Sequence, residues 1–216
     1  CAVALALASC VSTPSQPEPQ PAPAPVEPSI TELIERGDLA GLQAMFKGRE
    51  QANKPGADGR YPLHIAVLKG SSQMVEMLLA MGAEPDPQDA DGKTPLRHAV
   101  DLGDAKSAKA LVFKGASVFT ADKAGVSPLD AAIAKDFTAS LVDRATVSKK
   151  GPKGETPLHV AVDRLSMSAV KALLALDPDL SARDDAGRTV LDAAFLHPGS
   201  KAGAAIAELL VSRNTP

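Results

Sequence analysis

The sequence predicts an all-α solenoid, in which short helix-turn-helix repeats stack along one direction. The first observation behind this prediction is a Thr-Pro-Leu pattern that recurs with its prolines at 62, 95, 128 and 157. The second is composition, because aromatic residues make up only 3% of the 216 residues and there is no Trp. The apolar share is therefore mostly Ala, Leu and Val, which suits closely packed helices better than a β-sandwich core.

The recurring pattern marks the start of the first helix in each repeat. Its copies are 61–66, 94–99, 127–132 and 156–161, with a weaker fifth copy at 189–194 in which Val190 takes the place of Pro. Successive Pro positions are therefore 33, 33, 29 and 33 residues apart. Thr or Ser before the Pro is a good N-cap, and Pro at the first helical position loses no hydrogen bond. A Gly three residues earlier, at 59, 92, 125, 154 and 187, permits the positive φ of a tight turn.

The second helix of each repeat supplies the long apolar side chains. Met74, Val75, Leu78 and Leu79 lie on one helical face, and 170–174 and 206–210 repeat that arrangement. The Gly-Ala pairs at 82–83 and 115–116 predict the ends of two such helices, because Gly is favoured in the left-handed conformation of a helix stop.

The pattern and its spacing resemble the ankyrin repeat, whose period is 33 residues and whose signature is T-P-L-H-x-A. The resemblance spans 54–213 and gives about five repeats, joined by β-turn fingers. It implies that His64 and His159 bond back into the turn and that Asp130 and Asp192 substitute for them. Residues 29–53 are then an N-terminal capping helix pair, and the last copy caps the other end, because a solenoid must cover its terminal apolar faces.

The third repeat departs from this pattern, since it is four residues short and lacks the Gly-Ala helix stop. We expect a shortened second helix within 136–142, followed by an irregular basic loop that contains Lys149, Lys150 and Lys153. This loop is either a recognition feature or a tolerated local deletion, and the sequence leaves both interpretations open.

The first 28 residues differ from the rest of the chain. Residues 1–9 form an uncharged apolar run, which we interpret as the remnant of a signal peptide. The sequence Leu7-Ala8-Ser9-Cys10 resembles a bacterial lipobox, which implies lipid attachment at the Cys10 thiol. Residues 10–28 comprise this Cys and seven prolines, so an extended Pro-rich tether follows the anchor.

The lipobox implies a lipoprotein of the cell envelope in a Gram-negative bacterium, held in the membrane by its N-terminal acyl chains. Val11 rather than Asp follows the Cys, which in many bacterial lipoproteins implies outer-membrane sorting, with the folded part facing the periplasm. Three alternatives stay open: an ordinary secretion signal with an incidental Cys, a buried apolar segment, or a cytoplasmic protein with a spurious lipobox.

Charge and motifs disfavour several function classes. The net charge of −3 and a pI near 5.8 provide no basic field for nucleic acid. The only cysteines are Cys1 and Cys10, and no HExxH, GxSxG or phosphate-binding Gly loop occurs. We therefore predict no catalytic residue, metal or cofactor. One rival remains, an enzyme with an atypical site around His98, for which we expect partial burial and Asp101 as the hydrogen-bonding partner.

The predicted function is protein binding by a monomer through the concave face, by which we mean the finger turns and the exposed side of the first helices. It would make the chain a scaffold or an inhibitor, with the immunity protein of a periplasm-targeted toxic effector as the alternative. The candidate contacts are the positions that vary between aligned copies: Arg60, Leu68, Lys69, Lys93, Asp101, Leu102, Val126, Lys135, Glu155, Asp163, Arg164, Arg188, Leu196 and His197.

Overall fold

The computed structural model describes residues 29–44, 52–197 and 199–214, so the predicted signal remnant, Cys10 and the tether lie outside the described residues. Twelve helices have bounds within these ranges, namely α1 (Ile30–Arg36), α2 (Leu39–Ala44), α3 (Pro62–Leu68), α4 (Ser72–Ala80), α5 (Pro95–Leu102), α6 (Ala105–Phe113), α7 (Pro128–Ala134), α8 (Thr138–Leu141), α9 (Pro157–Asp163), α10 (Met167–Leu174), α11 (Val190–Phe195) and α12 (Lys201–Asn214).

These helices form two rows, as a solenoid requires. The first helices of the repeats, α3, α5, α7, α9 and α11, contact one another in that order. The second helices, α4, α6, α8, α10 and α12, do the same. The prediction of an all-α helix-turn-helix solenoid is therefore confirmed.

The repeated pattern sets where each first helix begins. α5, α7 and α9 begin at their Pro, and α11 begins at Val190. The Thr94 hydroxyl accepts a hydrogen bond from the Arg97 N–H at 3.2 Å, and Ser127 caps α7 in the same way. Such caps are worth about 1 kcal/mol each.

A finger turn precedes each first helix. In the second finger, the Asp89 N–H donates to the Lys93 carbonyl at 3.0 Å and the Gly92 N–H donates to the Asp89 carbonyl at 2.9 Å. The same two bonds close the turns at 56–60, 122–126, 151–155 and 184–188. The five predicted glycines all have φ between 70° and 76°. Bonds between fingers, such as the Lys123 N–H to the Asp91 carbonyl at 3.1 Å, keep the turns in register with the helices.

Two columns of first-helix side chains form the core between repeats. The small column, at Ala66, Ala99, Ala132, Ala161 and Ala194, is at most 2% exposed, and the leucines three residues before the first four of these are at most 1% exposed. The alanines of the small column let the backbones of neighbouring helices approach closely, while the leucines fill the space toward the second helices.

The third repeat has the short second helix that the sequence predicts, because α8 has four residues whereas α4 and α6 have nine. The residues that follow are more ordered than the expected irregular loop. Val142, Thr146 and Val147 are buried, and the Asp143 carboxylate accepts bonds from the Thr146 N–H and hydroxyl at 2.9 and 2.8 Å. This side-chain turn replaces the missing helical turns, so its beginning is part of the core, whereas Lys149 and Lys150 are exposed.

The ends of the solenoid are covered unequally. Ser29 and Glu32 form a capping box on α1, and Gly37 ends that helix with φ 73°. At the other end, Phe195 and Leu196 remain 61% and 55% exposed although α12 packs on α11. None of the helices in the described part of the chain combines the length and the apolar content that crossing a bilayer requires.

Candidate functional site

The residue at the fourth place of the repeated pattern lies under the concave face, and in the first four copies its side chain bonds to the next repeat. The His64 Nδ1 accepts from the Tyr61 N–H at 3.2 Å, so its Nε2 carries the proton and donates to the Lys93 carbonyl at 3.0 Å. His159 forms the matching pair of bonds, to Thr156 and to the Arg188 carbonyl. The predicted bonds of both histidines into the turn are present, and each also reaches the next finger.

Arg97 stands where this histidine would be in the second repeat. Its Nη1 donates to the Val126 carbonyl of the next finger at 2.9 Å and contacts Asp122 Oδ2 at 2.6 Å. Asp122 is 5% exposed, and its pKa is lowered, first by the Val126 N–H and further by Arg97, although burial opposes the charge. The sequence analysis did not identify Arg97 as a functional residue. The feature that could have identified it is that Arg stands at the place in the pattern where His64 and His159 occur.

Asp101 is the centre of an ionic cluster on the exposed side of α5. It contacts Lys93 Nζ at 2.9 Å, Arg97 Nε at 3.3 Å and Lys135 Nζ at 3.3 Å. Burial is the largest single effect on its carboxyl and opposes the charge, but the bonds from Lys93 and Arg97 outweigh it and lower the pKa of Asp101. The structure thus brings three of the predicted contacts together, Lys93, Asp101 and Lys135, and joins two successive repeats through one carboxylate.

The expected pairing of His98 with Asp101 is wrong. The His98 Nε2 lies 2.7 Å from Asp89 Oδ2, and its ring meets the edge of His64 with centroids 5.7 Å apart. The reason is that the carboxylate at 89 belongs to the finger directly beside α5, whereas Asp101 faces Lys93 and Lys135. His98 and Asp101 therefore do not form the pair that the rival active site requires. The expected partial burial of His98 is observed.

The ligand atoms of His64, Asp89 and His98 lie within 4.8 Å of one another, so these residues could together hold a metal ion. The hydrogen bonds of His64 argue against this role, because both its ring nitrogens are used in the repeat-to-repeat bonds that His159 also makes. The other Asp89 oxygen accepts from the Asp91 and Lys93 N–H groups at 2.9 Å and so shapes the finger. These bonds account for the cluster as part of the scaffold.

A pocket of about 450 Å³ opens on the concave face at the short repeat, between the third to fifth fingers and helices α7 and α9. We call it the concave pocket. Four of the predicted contacts line it, Glu155, Asp163, Arg164 and Arg188, together with the apolar Phe119 and Val160.

Two of its arginines are held by aspartates, Arg164 by the preceding repeat and Arg188 by its own finger. Arg164 Nη2 lies 2.8 Å from Asp130 Oδ1, and Arg188 Nη2 lies 2.6 Å from Asp184 Oδ2. Asp163 is exposed beside them. The pocket therefore presents both signs of charge, with its two arginines held by ion pairs, beside the apolar Phe119 and Val160.

The remaining predicted contacts are spread along the solenoid. The exposed ones are Arg60, Leu68, Lys69, Leu102 and Leu196. Val126 is half-buried and engages Arg97 through its carbonyl. His197 lies apart from the concave pocket, since it lines a cavity against α12.

Comparisons with known proteins agree with this architecture. Family models described as ankyrin repeats match residues 31–122, as three copies, and 153–185, which together cover more than half of the chain. No curated protein matches the sequence.

Two solved structures are similar. The ankyrin repeat domain of Bcl-3, described as a unique member of the IkappaB protein family, is 20% identical over 88% of each chain, with a TM-score of 0.61. A chain in the complex of the predatory endopeptidase Bd0816 from Bdellovibrio bacteriovorus with the immunity protein Bd3460 is 24% identical, over 83% of this chain and 97% of that chain, with a TM-score of 0.51. At these identities the likeness concerns the fold.

Proposed function

This chain belongs to the ankyrin-repeat proteins, and from that premise we propose that it acts by binding another protein at its concave pocket, without catalysis. The observation that carries the proposal is the lining of that pocket. Arg164, Asp163 and Glu155 surround an apolar floor of Phe119 and Val160, none of which the Thr-Pro-Leu pattern requires. A cavity of about 450 Å³ with an apolar floor and a few fixed charges suits a side chain or short segment of a protein surface.

Preorganised charge supports this function. Arg164 is held by Asp130 but keeps 58% of its side chain exposed, so a partner carboxylate could approach it without displacing the existing bond. Asp163, one residue earlier, offers the opposite charge. Side chains fixed before binding lose less conformational entropy when the complex forms, and alternating charges set the register of the partner.

Envelope anchoring is the second part of the proposal. It is supported by the Leu7-Ala8-Ser9-Cys10 sequence and by the Pro-rich segment that follows it. Acyl chains on Cys10 would hold the chain at the membrane, and the tether would let the concave face stand clear of it. A fatty-acid probe should label the wild-type chain but not Cys10→Ser, and the variant should leave the membrane fraction. Equal labelling of both chains would refute the anchor.

A more specific candidate is an immunity protein that neutralises a toxic effector in the periplasm. One observation favours it, namely that a structural neighbour lies in a complex of an endopeptidase with an immunity protein. In that case the partner is a toxic enzyme, and expression of this chain should protect cells in which that enzyme is targeted to the periplasm. If the Arg164→Glu variant protects equally, the concave pocket is not the inhibitory surface.

Protein binding at the concave pocket is tested by a crosslinking pull-down from envelope fractions, with the full lipidated chain as bait. We expect one enriched protein whose recovery falls at least tenfold in Asp163→Arg and Arg164→Glu, since breaking a central charged contact typically costs more than about 1.4 kcal/mol. Lys171→Glu is the matched control, because Lys171 is exposed on α10, in the other row of helices. Equal recovery with all four chains would refute the proposal.

A further inference from the structure

The row of second helices contains a gap that the concave face does not explain. α8 has four residues, whereas α6 before it has nine and α10 after it has eight. The missing turns leave a cavity of about 870 Å³, lined by α6, by 139–144 and by Leu176. We call this cavity the convex notch. It lies on the second-helix side of the solenoid, so it is a different surface from the concave pocket.

One apolar residue at the convex notch has no role in the repeat architecture. Phe113, the last residue of α6, is 82% exposed, while Leu141 and Val142 lie buried at the floor. Counted from the Pro position, Phe113 corresponds to Ala80 in the first full repeat and to Ala175 in the fourth. The fold therefore accepts Ala at this place, and the Phe occurs in the repeat that borders the gap.

The rim of the convex notch is basic. Lys106, Lys109 and Lys114 on and after α6 line it, together with Arg144, against the acidic Glu76 and Asp143. The Asp143 carboxylate is already bonded within its own turn, to the Ala145 and Thr146 N–H groups.

The basic residues of the two faces differ in their surroundings. On the concave face Lys93, Lys135 and Arg164 each have an aspartate within 3.3 Å. Lys106, Lys109 and Lys114 form no ion pair with any described residue. Arg144 lies 3.8 Å from Asp177 Oδ2 in an exposed ion pair, so the charges available to a partner of opposite sign are those of the three lysines.

We propose that the convex notch binds an acidic segment of a partner protein, which inserts one large apolar side chain beside Phe113 and places Asp or Glu side chains against the three lysines. A cavity of about 870 Å³ favours a protein side chain over a flat membrane surface, which would contact the exposed Phe113 without entering the cavity. A two-fold contact between copies of this chain would bring two basic rims together, which like-charge repulsion opposes.

The test uses the full chain and two synthetic probe peptides labelled with a fluorophore. In one, a central Phe is flanked by Asp and Glu, and in the other the same Phe is flanked by Lys. By fluorescence anisotropy we expect the acidic peptide to bind and the basic peptide not to bind. Phe113→Ala should weaken binding at least tenfold, and Lys109→Glu should weaken it and reduce its dependence on salt. Both variants introduce residues found at the corresponding place in the first full repeat, Ala80 and Glu76, so they should fold normally.

Arg164→Glu is the control for the concave pocket and should bind the acidic peptide with unchanged affinity. This control separates binding at the convex notch from the proposed function of the concave pocket, because a variant of one surface should leave binding at the other unchanged. Equal binding of both peptides, or unchanged binding in Phe113→Ala, would overturn the inference. Binding of anionic vesicles that depends on Phe113 in place of peptide binding would also overturn it, as would self-association that Phe113→Ala abolishes.

Discussion

Arg97 gives the sharpest test of how the repeats are held together. The Arg97→Ala variant removes the donor to the Val126 carbonyl and the partner of Asp122, which is 5% exposed. A hydrogen bond to a charged group contributes about 1.5–3 kcal/mol, and a buried ion pair that loses one partner can cost more. Asp122 keeps its bonds from the Ala124 and Val126 N–H groups, so its charge is not left bare. We therefore expect the free energy of unfolding to fall by about 2 kcal/mol.

The companion variant Arg97→His separates the repeat-to-repeat bond from the charge. His64 and His159 show that a histidine at this place reaches the carbonyl of the next finger, at 3.0 and 3.1 Å. Arg97→His should therefore recover about half of the loss, because it restores the donor but not the full contact with Asp122. Urea unfolding followed by circular dichroism measures both variants, with the exposed Arg60→Ala as control. A loss below about 0.5 kcal/mol in Arg97→Ala, the range of ordinary surface substitutions, would refute the reasoning. An equal loss in Ala and His variants would show that the finger bond contributes nothing.

Three further predictions concern the core, the pH dependence and the histidine cluster. Leu129→Ala should lower the free energy of unfolding by about 3 kcal/mol, because Leu129 is fully buried. Leu102→Ala, at a 55% exposed position, should change it by less than about 0.5 kcal/mol, and similar urea unfolding midpoints for the two variants would contradict the core assignment. Burial, only partly offset by the bond to Lys93, lowers the pKa of His64 below 6.5, so the histidine of the unfolded chain is protonated first as the pH falls. The stability that depends on neutral His64 is therefore complete above pH 6.5 and is lost as the pH falls toward the folded pKa. Thermal unfolding measured from pH 7.5 to 5 should show this loss, and the His64→Gln variant should show a weaker dependence on pH. Because His64 uses both ring nitrogens, stoichiometric Zn²⁺ should leave the Tm unchanged, and a rise that His98→Ala abolishes would show that the cluster binds the metal.

The fold was predictable because its determinants are local and periodic. A Pro, its Thr or Ser cap and a Gly three residues earlier recur at a nearly constant spacing, and the structure begins its first helices at those positions. The length of α8 was predictable for the same reason, from four missing residues. The ordered turn after α8 could not be predicted in this way. It depends on the hydrogen bond between Asp143 and Thr146 and on the burial of Val142 and Val147 in the core.

The candidate sites were less predictable because they depend on contacts between repeats. Position in the repeat placed Lys93, Asp101 and Arg164 on the concave face, but it did not show which oppositely charged side chain each would contact. His98 was assigned to Asp101 by spacing along one helix, whereas a finger nine residues earlier supplies Asp89. The convex notch could not be predicted from the sequence, because its lining comes from three separate second helices, α4, α6 and α8, and from the segments after α8 and α10.

The central claim is that the concave pocket contacts a partner protein, and position-specific photocrosslinking tests it most directly. A photoreactive amino acid would replace Lys153, which is exposed and lines the concave pocket, and in a second chain Lys171, on α10. After irradiation of cells that express each full chain, we expect one discrete adduct from position 153 and none of that mass from position 171. Arg164→Glu in the first chain should reduce the adduct at least tenfold. No adduct from position 153, or the same adduct from both positions, would contradict binding at the concave pocket.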